Sequence, residues 1–566
     1  MENKEKRLIT AALPYVNNVP HLGHIVGSHL PADIFARYSR LKGHETLFIG
    51  GTDEHGTPSV LAAEKMGVTP QQLCDYFHRI HKGIYEWFNF SYDNFSRTTR
   101  PIHHQTTQDF FKKVYEKGWI IEKEMLLPFC EECERFLPDR YIEGVCPFCG
   151  YKSARGDQCE KCGRMLDPVE LKDARCAICD SKKIEFKKTK HLFLDLRGLS
   201  DNIEDWVREN KHWREQVRQL ALGWIKEGLK PRSITRDLDW GVQVPLEGYA
   251  SKVFYVWFDA PIGYISSTKE KIGEKWKKYW ENPESKIYHF VGKDNIPFHT
   301  IFWPGALIAH GDLNLPYNVI GLQYLNYEGR KISKSKKWGV FCENFPEAGL
   351  EPDYWRFYLS FLIPETADTD FKWEEFKDRV NQELIGNFSN FVHRTLSMID
   401  KYFGGTIKEA DLQELSAQDK GLIETIQESH EKITGLIEEA ELRRALREIV
   451  ALASEGNKYF DHQAPWKQVK EDKKKAGKTL LLCLNLANSL SVLVSPYLPL
   501  TSERIRGQIG VEKLASGNVW DSAKEFSIKP PHQIGKPEIL FEKLTEEKIE
   551  ELKEKTGKLK KPEILK

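Results

Sequence analysis

The chain has 566 residues, with 83 Lys and Arg against 83 Asp and Glu, and 11 cysteines. That length is too great for one core and suggests about three or four domains. The balanced charge excludes a global field drawing the molecule to nucleic acid or a membrane, so any RNA contact has to be a local patch. No apolar run reaches the ~20 residues that span a bilayer. The opening MENKEKRLIT lacks the apolar segment of a signal peptide and carries acids that transit peptides avoid. The expectation is a soluble cytoplasmic protein without membrane contact.

In chain order, RLITAAL (7–13) reads as a buried strand and HIVGSHLPADIFARYSRLKG (24–43) as the helix after it, closed by Gly43. ETLFIGGTDEHGTP (45–58) is a second strand with a glycine-rich polar turn, and helical patterns fill much of 70–118. This βαβ opening predicts an α/β fold with a doubly wound, Rossmann-like parallel sheet, whose ligands lie beyond the strand C-termini. The pattern breaks at about 120, where cysteine pairs, glycine and charge take over, and a mixed stretch runs to about 250. KVFYVWFDAP (252–261) and KIYHFVGKDN (286–295) then read as further strands, so 120–250 is an insertion splitting one nucleotide-binding domain. Beyond about 375 the chain is nearly all helical in pattern. It ends in EEKIEELKEKTGKLKK (546–561), read as a solvated charged helix.

Four features carry chemistry. In HLGH, His21 and His24 are three apart at a predicted helix start, where two imidazoles and free backbone N–H groups suit a phosphate. Gly23 between them lets a flat ring approach the backbone. In GRKISKSKKWG (329–339), lysines interleaved with Ser333 and Ser335 form a glycine-bounded loop able to bring ammonium groups onto a polyphosphate. Alone, each motif is better explained by ordinary surface residues, the histidines as surface or capping groups and the lysines as a solvated charged loop. Eight of the 11 cysteines form Cys-x-x-Cys pairs at 130/133, 146/149, 159/162 and 176/179, which in a large chain reads as two structural zinc sites rather than redox chemistry. Spacing alone leaves sequential and nested pairing open. In the helical region, Asn390 and Arg394 share a helix face, and Trp466 follows a proline. An aromatic plate with amide and guanidinium donors can read unstacked bases, although a helix-face ion pair and a packing Trp explain the same residues.

HLGH after the first strand and KISKS some three hundred residues later resemble the paired HIGH and KMSKS signatures of class I aminoacyl-tRNA synthetases, departing only at the apolar spacers Leu22 and Ile332. Between them AALPYVNNVPHLGH, GGTDEHGTP, FYVWFDAPIGY and VGKDNIPFHTIFWP stand in the order of the methionyl-tRNA synthetases, and the resemblance runs from about residue 7 to about 470. The four-pair cysteine insertion looks like the archaeal or eukaryotic-like branch.

The resemblance implies a methionine-tRNA ligase acting on L-methionine, ATP with Mg²⁺, and tRNA(Met). It implies His21, His24, Lys331 and Lys334 as catalytic residues, with Gly23, Ser333 and Ser335 beside them in the ATP site. It implies a methionine pocket of Leu13, Tyr15, Trp257, Ala260, Pro261, Tyr264, His299 and Trp303, with Asp53 pairing the α-ammonium. Three strand ends would supply these residues. Asn295 stands where many relatives carry an apolar residue. Arg236 and Lys293 are further active-site candidates. Asn390, Arg394 and Trp466 match the residues that read the anticodon CAU.

Relatives with one zinc keep the two middle cysteine pairs, which favours nesting: Cys146, Cys149, Cys159 and Cys162 on one zinc, Cys130, Cys133, Cys176 and Cys179 on the other. The division implied is 1–119 and 251–325 for the two catalytic halves and 120–250 for the insertion, with its knuckles at about 130–185. Residues 326–379 form the region around the basic loop, 380–540 the helical anticodon domain and 541–566 a charged tail. A monomer is expected. Two other readings fit less of the sequence. Another class I synthetase for leucine, isoleucine or valine would carry a longer insertion, and one for cysteine would place cysteine in the pocket. A non-catalytic zinc-knuckle RNA-binding protein would leave HLGH and KISKS unexplained.

Overall fold

The computed structural model describes residues 4–564 except Asp157, Met165, Ser335, Asp411, Gln413, Ala515, Ser516, Lys561 and Glu563, and omits the side chain of Asp139. Five parallel strands form the central sheet: β1 (Lys6–Ala11), β2 (Glu45–Thr52), β3 (Asn94–Arg97), and later in the chain Ser285–Gly292 and Asn318–Leu322. Between them the insertion contributes two long antiparallel strands, β4 (Ile120–Cys130) and β5 (Ile184–Leu194), so the later sheet strands are β6 and β7. The order across the sheet is β7-β6-β1-β2-β3. The chain leaves β1 toward β2 on one side, and returns as β6 on the other with Thr10 opposite His289. The crevice beyond β1 and β6 is therefore the topological switch point, where doubly wound sheets bind ligands.

Alternation along these strands covers both faces, as a parallel sheet requires. Ile9, Phe48, Phe290 and Ile320 point into a core that continues into the helical domain. Leu8, Leu47, Ile49, Ile287 and Val319 point into a second core under the insertion's helices. The α/β and helical parts are joined by the fully buried Arg356. It donates to Asp33 at 2.8 Å and to the carbonyls of Phe88 (3.0 Å), Pro496 (2.9 Å) and Tyr497 (2.6 Å). Burial pushes the Asp33 carboxyl up, but Arg37 and Arg356 outweigh it and hold its pKa below the usual value.

Two sequence expectations are corrected here. KVFYVWFDAP is not a strand: only Val253–Phe254 is extended, and Val256–Ile272 is a helix buried from Phe258 to Thr268. A helix buried on all sides shows no periodicity, and its aromatic and β-branched opening imitates a strand. Lys473–Val494 is, among the described residues, the one helix whose length and composition alone would pass for a bilayer span. It is the buried central helix of the helical domain, with every residue from Thr479 to Val494 covered. The C-terminal helix Glu546–Thr556 is not freely solvated: Ile549, Leu552 and Thr556 are buried. The Phe341 N–H donates to the Thr556 carbonyl, the Asn344 amide to that of Lys558, and the Lys560 N–H to Glu343.

Candidate active site

Beyond their last paired residues, β1 and β2 stay side by side. The Asp53 N–H donates to the Pro14 carbonyl at 3.0 Å and the Val16 N–H to the Asp53 carbonyl at 3.3 Å. This sets Tyr15 next to Asp53. Asp53 is buried, and its Oδ1 has no hydrogen-bond partner among the described residues. Burial first, and then the neighbouring Asp259 carboxylate, hold its pKa well above the usual value. A buried carboxylate with an orphaned oxygen is suited to a cation from outside the chain.

Around it lie the other sequence-predicted pocket residues. Trp257 meets Tyr15 edge-on at 6.2 Å and stacks on Phe298 at 3.8 Å. Gly263 packs so closely that a Cβ there would come within 2.9 Å of Leu13 Cδ2. The Tyr264 hydroxyl lies 3.0 Å from His299 Nε2, and His299 Nδ1 lies 2.9 Å from the Asn295 carbonyl. Asn295 thus contributes its backbone to this wall. Trp303 lies deeper, packed against Phe110 and Trp280. The three-strand-end origin is corrected accordingly. Leu13, Tyr15 and Asp53 follow strands, whereas Trp257, Ala260, Pro261 and Tyr264 come from the helix Val256–Ile272. His299 lies in the π-helical turn Phe298–Phe302, and Trp303 begins the helix after it.

The two signatures meet. The Leu22 N–H donates to the Val340 carbonyl at 3.3 Å, the Cys342 N–H to the Pro20 carbonyl at 3.1 Å, and His21 pairs with Phe341. The segment just after KISKS is therefore hydrogen-bonded to HLGH. Lys334 is half-buried, and its charge bears on His21, His24 and His81. Burial brings its pKa down to about 8. Lys331 and Lys293 approach one ring, Tyr324, at 5.1 and 5.6 Å. Ser333 closes the loop by paired backbone bonds with Trp338, whereas Ser335 lies outside the described residues. Arg236 stacks on Tyr255 at 3.7 Å and donates to the Thr235 carbonyl at 2.8 Å.

The expected free backbone N–H groups at HLGH are absent. The His21 N–H donates to His24 Nδ1 (3.1 Å), the Gly23 N–H to His21 Nδ1 (3.1 Å), the His24 N–H to the His21 carbonyl (2.9 Å), and Leu22 is committed to Val340. Both imidazoles instead take up these N–H groups through their Nδ1 atoms. Burial, with the nearby Lys334, depresses the pKa of both well below the usual histidine value, so both rings are neutral near pH 7. With each Nδ1 accepting from backbone, each Nε2 carries the proton, giving two fixed N–H donors. Their rings are 4.0 Å apart.

Residues not singled out by sequence also bear on the site. His55 Nδ1 lies 2.6 Å from the Asp259 carboxylate and His103 Nε2 3.9 Å from it, all three buried. They tie the Asp53 loop to the pocket helix. The DEH of GGTDEHGTP and the FDAP of the helix were the available signal.

At the tip of the β4–β5 ribbon the cysteines gather as two quartets: 130, 133, 176 and 179, and 146, 149, 159 and 162. This is the nested arrangement. Sγ–Sγ separations of 3.6 and 3.9 Å in the first quartet, and 4.0 and 3.6 Å in the second, bracket the ~3.8 Å edge of a tetrahedron with 2.3 Å zinc–sulfur bonds. Each pair is followed by a residue in the left-handed region: Glu134, Gly150, Gly163 and Asp180. The donor set and its spacing fit zinc.

In the helical domain Arg394 pairs with Asp461 at 2.5 Å and lies 4.5 Å over Phe460, whose ring is 6.0 Å from that of Trp466. Asn390 is one turn before Arg394, and Trp466 is 36% exposed behind Pro465. Arg394, Asp461, Phe460 and Trp466 thus form one patch with an accessible aromatic ring, and Asn390 lies a turn away on the helix of Arg394.

Comparison with known proteins agrees with this architecture. The family model of class I tRNA synthetases (M) matches residues 7–396, and that of the anticodon binding domain of methionyl tRNA ligase matches 411–561. The methionine–tRNA ligase of Methanopyrus kandleri is 43% identical over 97% of this chain and 81% of its own length. The cytoplasmic methionine–tRNA ligase of Homo sapiens is 42% identical over 97% of this chain and 61% of its own. The Mycobacterium tuberculosis methionyl-tRNA synthetase, solved in complex with methionyl-adenylate, superposes with a TM-score of 0.80 at 26% identity, over 95% of this chain and all of that one. With a split parallel sheet, joined signature loops and an accompanying helical domain, the chain belongs to the class I tRNA synthetases of the methionyl type.

Proposed function

We propose that this chain activates L-methionine with ATP as methionyl-adenylate and transfers the methionyl group to the 3′ adenosine of tRNA(Met), initiator and elongator alike. The observation that carries this reading is the bonding of Pro20 and Leu22 to Cys342 and Val340, which joins HLGH to the base of KISKS beside the switch-point crevice. In the first step a methionine carboxylate oxygen attacks the α-phosphorus of ATP, bound as its magnesium complex, and pyrophosphate leaves. In the second, a ribose hydroxyl of the terminal adenosine attacks the acyl carbon and AMP leaves. Neither step needs a covalent bond to the chain, so its contribution is positioning and charge stabilisation.

In this reading the Nε2–H groups of His21 and His24 donate to phosphate oxygens. Gly23 and Ser333 border the nucleotide, with Ser335 assigned by its place in the motif. Lys331 and Lys334 stabilise the departing pyrophosphate, and Lys293 and Arg236 stand nearby. Asp53 receives the α-ammonium, supported by its orphaned oxygen. Leu13, Tyr15, Trp257, Ala260, Pro261, Tyr264, His299 and Trp303 enclose the thioether side chain, whose sulfur favours aromatic contact. Each cysteine quartet would hold one structural Zn²⁺, tying together a module with few apolar core residues of its own. Asn390, Arg394 and Trp466 would read the anticodon. The test is charging of tRNA transcripts: methionine should be attached to a transcript with anticodon CAU, and altering that anticodon should abolish charging. Equal charging of both would refute the assignment.

A further inference from the structure

The helix Pro70–Trp87 carries two buried polar side chains one turn apart, His81 and Tyr85, which reach the segments on either side of HLGH. His81 Nε2 lies 2.8 Å from the Asn18 carbonyl, in the loop before HLGH. The Tyr85 hydroxyl lies 3.4 Å from His81 Nδ1 and 3.0 Å from Nε2 of His29. His29 ends the π-helical turn Ile25–His29 just after HLGH, and its Nδ1 lies 2.6 Å from the Tyr92 hydroxyl.

The proton positions follow from the fixed end of this chain. The Asn18 carbonyl only accepts, so His81 Nε2 carries the proton. Burial keeps both imidazoles neutral, with the pKa of His81 brought down to about 4 and that of His29 to about 3. His81 Nδ1 is then an acceptor, and it takes the single Tyr85 proton. Giving that proton to His29 instead would leave His81 Nδ1 buried without a partner. The His29 Nε2–H therefore donates to the Tyr85 oxygen, and Tyr92 donates to His29 Nδ1. In this direction each of the four bonds has one donor and one acceptor. The chain ends on a backbone carbonyl, so it holds a position rather than passing a proton on.

What it holds is the approach to HLGH. From Val16 to Pro20 the loop has no helix or strand. Its start is tied by the Val16 N–H to the Asp53 carbonyl, its end by the Cys342 N–H to the Pro20 carbonyl, and its middle by His81. The Asn18 side-chain oxygen is spent on the neighbouring Val19 N–H. On the far side of HLGH, Ser28 precedes His29, accepts from the Ala12 N–H and donates to the Phe290 carbonyl, both at 2.7 Å. One helix thus clamps both flanks of the motif.

We propose that His81 is a positioning residue for adenylate formation: with Tyr85 and His29 it holds the two segments flanking HLGH in register, and so sets where His21 and His24 meet the phosphates of ATP. This rests on the proposed reading of HLGH as the phosphate site.

The test is ATP–pyrophosphate exchange, methionine binding by tryptophan fluorescence and a melting curve for His81→Leu, Tyr85→Phe, their double variant and His81→Gln. The Gln amide keeps a donor at the reach of Nε2. His81→Leu should lower kcat roughly 10- to 30-fold, the scale of a sub-ångström displacement of positioning groups, with methionine affinity within about twofold. Tyr85→Phe, which removes one oxygen, should lower kcat by about three- to tenfold with the same unchanged affinity. The double variant should be no worse than about twofold below His81→Leu, because both act through one chain. His81→Gln should stay within about threefold of wild type. The proposal is overturned if Tyr85→Phe and His81→Leu keep wild-type kcat, if His81→Gln is as impaired as His81→Leu, or if kcat and methionine affinity fall together with the melting temperature. Absence of methionine-dependent exchange in the wild type would instead overturn the functional reading itself, and this proposal with it.

Discussion

Replacing Gly23 by alanine tests the geometry of the HLGH turn. A Cβ at this position would stand 2.8 Å from His21 Cε1 and 3.0 Å from its Nδ1. Carbon atoms settle at ~3.5–4.0 Å, so the imidazole must yield by roughly 0.7 Å or more. It cannot do so cheaply, because its Nδ1 is held by the Gly23 N–H and its own backbone is bound to His24. Losing one such bond costs ~1 kcal/mol of stability, a fall of a few degrees in melting temperature at most for a chain of this size. The catalytic loss should be larger. A displacement approaching 1 Å in a positioning group costs up to ~10²-fold, so kcat for pyrophosphate exchange should fall by about 30- to 100-fold, or ~2–3 kcal/mol of barrier. Methionine affinity, measured by quenching of pocket tryptophan fluorescence, should be unchanged, because the atoms an added Cβ would meet belong to His21 and Ile332 and not to the pocket residues. Wild-type kcat in Gly23→Ala would refute the idea that the His21 ring must lie against this backbone. So would a loss accompanied by a collapse of the melting curve.

Other consequences follow from the same structure. Lys334, brought down to about 8 by burial, loses its charge as pH rises through that value. The kcat/KM for ATP should therefore decline above about pH 8, and Lys334→Arg should remove that decline; an unchanged profile would separate Lys334 from the phosphates. Metal analysis should find two zincs per chain, and Cys146→Ser with Cys159→Ser should leave one, since both cysteines belong to the same quartet; loss of both or neither would break the nested assignment. Trp466→Ala should weaken tRNA charging by ~1–3 kcal/mol, the worth of one base stack, and leave pyrophosphate exchange near wild type. A parallel loss of both activities with a lowered melting temperature would make Trp466 a packing residue instead.

The sequence disclosed the parts whose physics is local. β1, β2 and β6 were legible as short apolar runs ended by polar turns, and the cysteine pairs as metal-binding turns. What it concealed was decided by tertiary packing. The pocket helix Val256–Ile272 read as a strand because no solvent-facing side imposes a helical period on it. The C-terminal helix looked solvated because its few apolar residues, Ile549 and Leu552, are sparse among charges, yet they decide where it docks. HLGH was correctly placed at the start of a helix, but three of its backbone N–H groups are taken by its own two histidines and that of Leu22 by Val340, more than three hundred residues away. Nor was the π-helical geometry legible at Ile25–His29, just after His24, or at Phe298–Phe302, which carries His299. Such turns recur at functional sites because they re-aim side chains, and their sequences carry no period of their own.

The central claim is that the switch-point crevice, closed by the joined HLGH and KISKS segments, makes an adenylate from methionine. Amino-acid-dependent exchange of labelled pyrophosphate into ATP measures that reaction without tRNA. Run with methionine, leucine, isoleucine, valine and cysteine on the wild-type chain, it should show exchange with methionine and at most traces with the others. Exchange driven by another of these amino acids would move the chain to a different specificity. No exchange with any of them would contradict the claim outright.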